Sequence, residues 1–167
     1  MGAHWYNRSI KIYRGRIAPT AIALHREMYS AFAESDIPTL QKICADGILD
    51  SFRARIGNRA HGEKMLWELI RYNKRAKIVS HRAARLPIEG AGLRQAVVRI
   101  ASRQKLSRYT ANGALVKGTG KERDVVEYVV LEKKCWQGKE EDWRIWGTME
   151  ETKFETVMQW QRDALGA

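Results

Sequence analysis

Two cysteines, Cys44 and Cys135, in 167 residues are too few for a disulfide framework, and they have no metal-ligand spacing. Both are expected as free thiols, buried or half-buried, in a reducing compartment. The four histidines, His4, His25, His61 and His81, supply neither an i,i+4 pair nor an H-E-x-x-H, so no zinc site is expected. No apolar run approaches the roughly 18 residues of a spanning helix, which leaves only peripheral membrane contact. The opening Met1-Gly2-Ala3-His4-Trp5 lacks the character of a presequence, so a targeting signal is expected outside this chain or already removed. Asn7-Arg8-Ser9 fits a glycosylation sequon, but without a secretory signal it reads as chance.

Catalytic signatures are equally scarce. Gly118-Thr119-Gly120-Lys121 is not a phosphate loop: Leu115 stands where a glycine is needed, and Glu122 follows the lysine in place of Ser or Thr. No nucleophile elbow is present. The acid pairs Glu140-Glu141 and Glu150-Glu151 read as solvated surface. Asp124 and His81 are the candidates for an acid or base in a pocket, and nothing in the sequence pairs them. Neither an enzyme nor a cofactor is expected.

Acid is scarce too, and its distribution is the informative feature. Thirty Lys and Arg outnumber nineteen Asp and Glu, for a net charge of +11. Fifteen of those bases lie between Arg53 and Arg108, opposed by Glu63, Glu68 and Glu89 alone; the rest of the chain is nearly neutral. Such a gradient suggests one charged face, costly in self-repulsion until a polyanion neutralises it. Eleven of the fifteen are arginine, whose planar fork suits bidentate phosphate contact. Recognition of folded RNA by shape and phosphate fits this better than reading of base sequence.

The apolar content of 44% is that of a globular protein, and the length suits one domain. Residues 1–15 show no sustained period and read as a basic, aromatic arm, with Trp5, Tyr6 and Tyr13 placed to meet RNA or lipid headgroups. Residues 16–167 read as a single domain. Pro19 suits a first helical turn, and Ala21, Leu24, Met28 and Ala31 form one stripe. Pro38 opens a short helix through Cys44. Leu49, Phe52 and Ile56 predict another helix, ended by Gly57-Asn58. Met65, Leu66, Leu69 and Ile70 predict a further helical stretch to Tyr72.

The period then becomes two. Residues 77–86 alternate, and Val98, Ile100 and Leu106 oppose Arg99, Arg103 and Lys105 across the next strand. Asn112-Gly113 marks a turn. Val125–Leu131 is apolar on both faces and reads as a central strand. A loop over 137–142 leads to a last strand from Trp143 to Thr152, and a closing helix is expected over 154–165. Trp67, Trp143 and Trp146 fall in periodic segments and are expected in or beside the core. Helices followed by strands argue for α+β, with the N-terminal helices packed on a curved four-stranded antiparallel sheet.

Several segments also resemble a known family. They are Ser80-His81-Arg82-Ala83, Val97-Val98-Arg99-Ile100 with Arg103-Gln104, then Tyr109, Gly113 and Gly118, Asp124 through Glu132, and Trp143-Arg144. Over about Lys77–Glu151 this pattern is similar to the mitochondrial large-subunit ribosomal protein forty-five family. That family shares its Tim-forty-four-like domain with the fungal mitoribosome receptor and with the matrix-side scaffold of the presequence translocase. The resemblance implies a cone of the nuclear-transport-factor-two-like kind and no catalysis. It implies a place in the mitochondrial matrix, on the large ribosomal subunit near the polypeptide exit, peripheral to the inner membrane. The expected partners are large-subunit rRNA, neighbouring ribosomal proteins and, peripherally, the inner membrane and insertion machinery. The family's long N-terminal extension, most often implicated in membrane or tunnel contacts, is not expected within these residues, so the resemblance implies RNA docking here before membrane contact. Charge and resemblance together assign rRNA contact to Arg8, Lys11, Arg14 and Arg16 in the arm. The basic face adds Arg53, Arg55, Arg59, Arg71, Lys74, Arg75, Arg99, Arg103 and Lys105. The alternative is an import or insertion adaptor at the inner membrane that binds no RNA.

Overall fold

The computed structural model describes residues 2–151, with side chains described from Gly15 onward. Three helices, α1 (Gly2–Glu34), α2 (Ile37–Ile43) and α3 (Asp46–Gly57), precede six strands. These are β1 (Lys64–Tyr72), β2 (Lys77–Arg85), β3 (Ala91–Tyr109), β4 (Glu122–Trp136), β5 (Lys139–Glu140) and β6 (Arg144–Glu150). The class is α+β, as expected, with every strand pairing antiparallel.

The sheet is organised by β3, which at 19 residues is long enough to take two partners end to end along one side. Its first half pairs with β2 and its second half with β1, while β4 runs along its other side. β6 and the two-residue β5 complete the far side of β4. The expected count of four strands is therefore corrected to six, and the sheet is open. The two added strands are β1, expected as a helix, and the two-residue β5, which falls within the expected loop over 137–142.

One expected helix is a strand. Met65, Leu66, Leu69 and Ile70 have helical spacing, yet Lys64–Tyr72 forms β1. Met65, Trp67 and Leu69 face the helices opposite Arg108, Leu106 and Gln104, whereas Leu66 and Ile70 are 48% and 41% exposed. Apolar residues on both faces satisfy either period, and the unpaired second half of β3 decides for the strand.

The stretch expected as an arm continues α1 in its backbone, and Pro19 lies inside that helix, not in its first turn. The proline lacks only one donor, and α1 is held from Ile17 onward by packing. Its buried seam is Ile17, Ala21, His25, Met28, Ala31 and Phe32, so His25 occupies the place expected for Leu24, which is half-buried. α1 ends at Ser35, whose φ of 58° is left-handed, and Asp36 N–H returns to Ala31 O at 2.8 Å. That is a Schellman stop. Asp36 then caps α2 by accepting from Thr39 N at 3.2 Å.

The core lies between the helices and one sheet face, where Ala96, Val98, Ile100, Val129, Leu131 and Ile145 meet the α1 seam, Leu40 and Phe52. Burying each large side chain contributes about 1.5–3 kcal/mol. Cys44 and Cys135 are free thiols, as expected; burial pushes the Cys44 thiol up to about 12, too high for a nucleophile. The closing helix expected over 154–165 lies outside the described residues.

Candidate nucleic-acid interface

The outer face of the sheet, away from the helices, carries much of the predicted basic face, but with acids beside it. Strand register sets Arg103 opposite Asp124 and Lys105 opposite both Glu122 and Glu68. Arg103 reaches Glu122 at 2.7 Å and Asp124 at 3.1 Å. Lys105 lies 3.7 Å from Glu68, and Arg99 lies 3.1 Å from Glu151. The expectation that few acids could pair with this cluster is thus corrected. β4 supplies them, and its acids lie outside the basic stretch in sequence.

Arg59 has a structural place. Its guanidinium donates to Ala33 O at 3.1 Å, Phe32 O at 2.5 Å and Ser35 Oγ at 2.6 Å, closing the end of α1. A cation there also meets the negative end of the helix dipole. Arg55 stacks over Phe32 at 4.6 Å, and Arg53, also on α3, is exposed. Arg16 is exposed on α1; the side chains of Arg8, Lys11 and Arg14 lie outside the described set. Of the nine residues assigned to the basic face, Arg53, Arg55 and Arg59 thus lie on or just after α3, apart from those on the sheet.

What remains is an edge. Between Glu68 and Glu89 the sequence has no acid, and this stretch forms the end of β1, the turn after it, β2 and the start of the next turn. Register shifts at Leu69/Arg71 and Ile78/Ser80 flank the turn, which is anchored by Asn73 N–H to Ala101 O at 2.9 Å. Such bulges steepen the local twist and turn the edge outward. Arg71 donates to Asn73 Oδ1 at 3.1 Å, and Asn73 Nδ2 donates to Asp124 Oδ1 at 2.9 Å. These bonds, the Asn73 one foremost, with Arg103 second, hold the Asp124 carboxyl below its ordinary value. Beyond Arg71, Lys74, Arg75, Lys77, Arg82 and Arg85 are all exposed and form no ion pair among the described residues. Arg82 and Arg85 extend the site that Lys74 and Arg75 began.

A second constellation escaped the sequence reading. Under the sheet, Glu127 is 3% exposed, with His25 Nε2 at 2.7 Å from one of its oxygens and Gln104 Nε2 donating to the same oxygen at 3.0 Å. The Tyr29 hydroxyl donates to the other oxygen. Trp67 Nε1 donates to Gln104 Oε1 at 3.0 Å, and the Trp67 ring stacks on Tyr29. Burial alone would push Glu127 up. The bond and charge of His25, then Tyr29 and Gln104, outweigh it and hold the carboxyl below its ordinary value. Burial, with Glu127 second, pushes the Tyr29 hydroxyl far up. A groove of about 470 Å³ opens beside this cluster, between Tyr29, Leu106, Arg123 and Glu150. The chemistry is that of a satisfied buried carboxylate, not of a general acid, which would need a raised value. The available signal was the i,i+4 pair His25/Tyr29 together with one acid inside an apolar strand.

The two residues weighed for catalysis are not brought together. Asp124 is exposed on the outer face, and His81 lies opposite Ala96 on the inner face, 3.2 Å from Arg94. Among the described residues no group of three or more His, Cys, Asp or Glu could hold a metal, and no helix is long and apolar enough to cross a membrane.

Comparison with known proteins gives one firm result. The chain matches the family described as MBA1-like protein over residues 6–164, well upstream of the Lys77–Glu151 stretch that carried the resemblance. No curated protein matches it. Among solved structures, the intermembrane-space region of the chloroplast protein ARC6 is 13% identical, covering 80% of this chain and 95% of that one, with a TM-score of 0.46. That likeness is too slight to bear on fold or function. By the extent of the family match, this chain belongs to the MBA1-like family, with the mitochondrial, membrane-associated and ribosome-related role that membership carries.

Proposed function

We propose that this protein is a non-catalytic docking element of the mitochondrial ribosome. It binds large-subunit rRNA through the β1–β2 turn and the β2 edge, near the polypeptide exit, and helps hold the ribosome at the inner membrane. The observation that carries the reading is the row Lys74 and Arg75 on the β1–β2 turn and Lys77, Arg82 and Arg85 on β2, exposed and without an acid partner among the described residues. Phosphate oxygens are the partner that relieves this repulsion, and such contacts release counterions and weaken with salt. The groups lie along a twisted ribbon, which suits the shape of an RNA duplex better than a base-reading pocket.

The test is co-sedimentation of the protein with mitochondrial large subunits on a sucrose gradient, with and without RNase. Wild-type protein should migrate with the subunit until the RNA is destroyed or salt is raised. Lys74→Glu/Arg75→Glu/Lys77→Glu should move it to the top of the gradient while leaving its thermal melt in place. Unchanged migration of the triple variant would remove this edge from the interface. Wild-type protein that stays with membranes and never with subunits would turn the reading to an import or insertion adaptor.

A further inference from the structure

The end of the sheet reached by β2 carries exposed apolar residues that the RNA reading does not use. The β2–β3 turn, Leu86-Pro87-Ile88-Glu89-Gly90, exposes Leu86 at 43% and Ile88 at 59%. Trp136, at the end of β4, is 49% exposed and stands opposite Ala91 in the register. The two turns are joined: Gln137 N–H donates to Gly90 O at 2.7 Å. Gly90 has a φ of +76°, and a Cβ there would sit 3.3 Å from the Gln137 backbone, so a glycine is what lets the turns abut. Leu86 N–H and Ala91 N–H close the first turn through Ala91 O and Ile88 O, each at 3.0 Å. The apolar tip is therefore held by backbone hydrogen bonds. Its exposure is a property of ordered structure.

Around the tip stand Arg82, Arg85, Lys134 and Lys139, all exposed. Glu89 and Glu141 also lie there, while Glu140 is engaged by Arg94 and Lys133, each at 3.3 Å. Aliphatic side chains beside a tryptophan, with Arg and Lys just behind them, match the depth profile of a bilayer surface. Acyl chains take the aliphatic groups, the headgroup level takes the indole, and lipid phosphates meet the cations. We infer that the joined β2–β3 and β4–β5 tips are the surface by which this protein rests on an anionic phospholipid bilayer. The inference rests on the inner-membrane part of the proposed function and names the surface responsible. β2 separates the tip from the basic β1–β2 turn by roughly 27 Å, at about 3.4 Å per residue. RNA at Lys74, Arg75 and Lys77 and lipid at the tip can then be held at the same time, with Arg82 and Arg85 between them open to the phosphates of either.

Flotation of the purified full chain with vesicles tests this. One vesicle type is phosphatidylcholine alone, the other phosphatidylcholine mixed with phosphatidylglycerol. Wild-type protein should float with the mixed vesicles and far less with the neutral ones. Ile88→Glu/Trp136→Glu should lower the bound fraction at least about tenfold, since each exchange replaces an inserting apolar group by an acid at the membrane surface. Trp136→Tyr should retain most of the binding, because a tyrosine also suits the headgroup level. Both sites are exposed, so the double variant should keep the wild-type melt and the wild-type migration with large subunits. If wild-type and double variant float equally, the tip is not the docking surface, although the membrane reading stands. If wild-type protein floats with neither vesicle, the membrane reading itself falls and the tip assignment with it.

Discussion

Arg99, Arg103 and Lys105 on β3, and Lys74, Arg75, Lys77, Arg82 and Arg85 on the neighbouring edge, look alike in sequence: bases with hardly an acid nearby. In space they differ. β3 has a strand on each side, and β4 brings Glu122 and Asp124 across to it, while Glu68 comes from β1. Among the described residues β2 has one strand neighbour, and that neighbour is basic where it faces the edge: Lys77 stands opposite Arg99, and Ala83 opposite Arg94. Charge on a central strand is thus open to cancellation from two sides, whereas charge on an edge keeps its demand for an outside partner. An unpaired edge also risks pairing with another chain, and a row of cations discourages that. What separates the proposed docking surface from an internal salt-bridge ladder here is the position of the strand in the sheet.

The strongest sharpening of this contrast comes from Glu127, where pairing is carried to full burial. Glu127→Ala should cost about 3–5 kcal/mol, because His25 and Gln104 lose their acceptor inside the core. Urea unfolding measures it; a loss under about 1 kcal/mol would mean the cluster is not coupled to folding. Its pH dependence has a definite sign. The folded carboxyl lies below its ordinary value, so its stabilisation is complete above the unfolded value of about 4.3. It drains away as pH falls from there through the lower folded value. Wild-type protein should therefore lose stability faster than Glu127→Gln below about pH 4.3, with the two curves converging in stronger acid.

These cases show what was legible in the residues. The strands β2, β3, β4 and β6 announce themselves by alternation or by a run of valines, and α2 and α3 by proline, glycine and apolar spacing. β1 does not, since Leu66 and Ile70 give its outer face the same apolar character as its inner one. Of the site, the acid-free stretch from Leu69 to Ile88 was visible as charge, and the edge lies within it. The pairing of Arg103 was not, because Glu122 is nineteen residues away and the register that joins them is a tertiary fact. The Glu127 cluster was hidden still more deeply, with Glu127 and His25 102 positions apart.

Arg59 gives the next effect in size and separates structural arginine from docking arginine. Arg59→Ala removes the donors to Phe32 O and Ala33 O and the stack on Phe32 at 4.7 Å. The group is partly open to solvent, so the expected loss is about 1 kcal/mol, read as a lower urea midpoint. Arg59→Lys should recover little, since an ammonium cannot span two carbonyls and the ring together. Binding to large subunits should not change under conditions where the variant is folded. A binding defect as large as that of the edge variant would put Arg59 back into the interface.

The smallest effect tests the comparison most directly. Arg103→Ala and Lys77→Ala each delete one cation from adjoining strands, and both variants should fold with melts close to wild type. Removing Arg103 leaves Glu122 and Asp124 side by side without their shared guanidinium, which should slightly lower the melt, more so at low salt. Removing Lys77 relieves repulsion from Arg99 opposite and should leave the melt unchanged or slightly raised. RNA binding should respond in the opposite sense. For Lys77→Ala the slope of log affinity against log salt should fall by about 0.7–0.9, the loss of one phosphate contact. For Arg103→Ala it should stay as it was, because that cation already spends its charge on β4. Equal slopes for the two variants would erase the distinction between centre and edge and return the whole outer face to the interface.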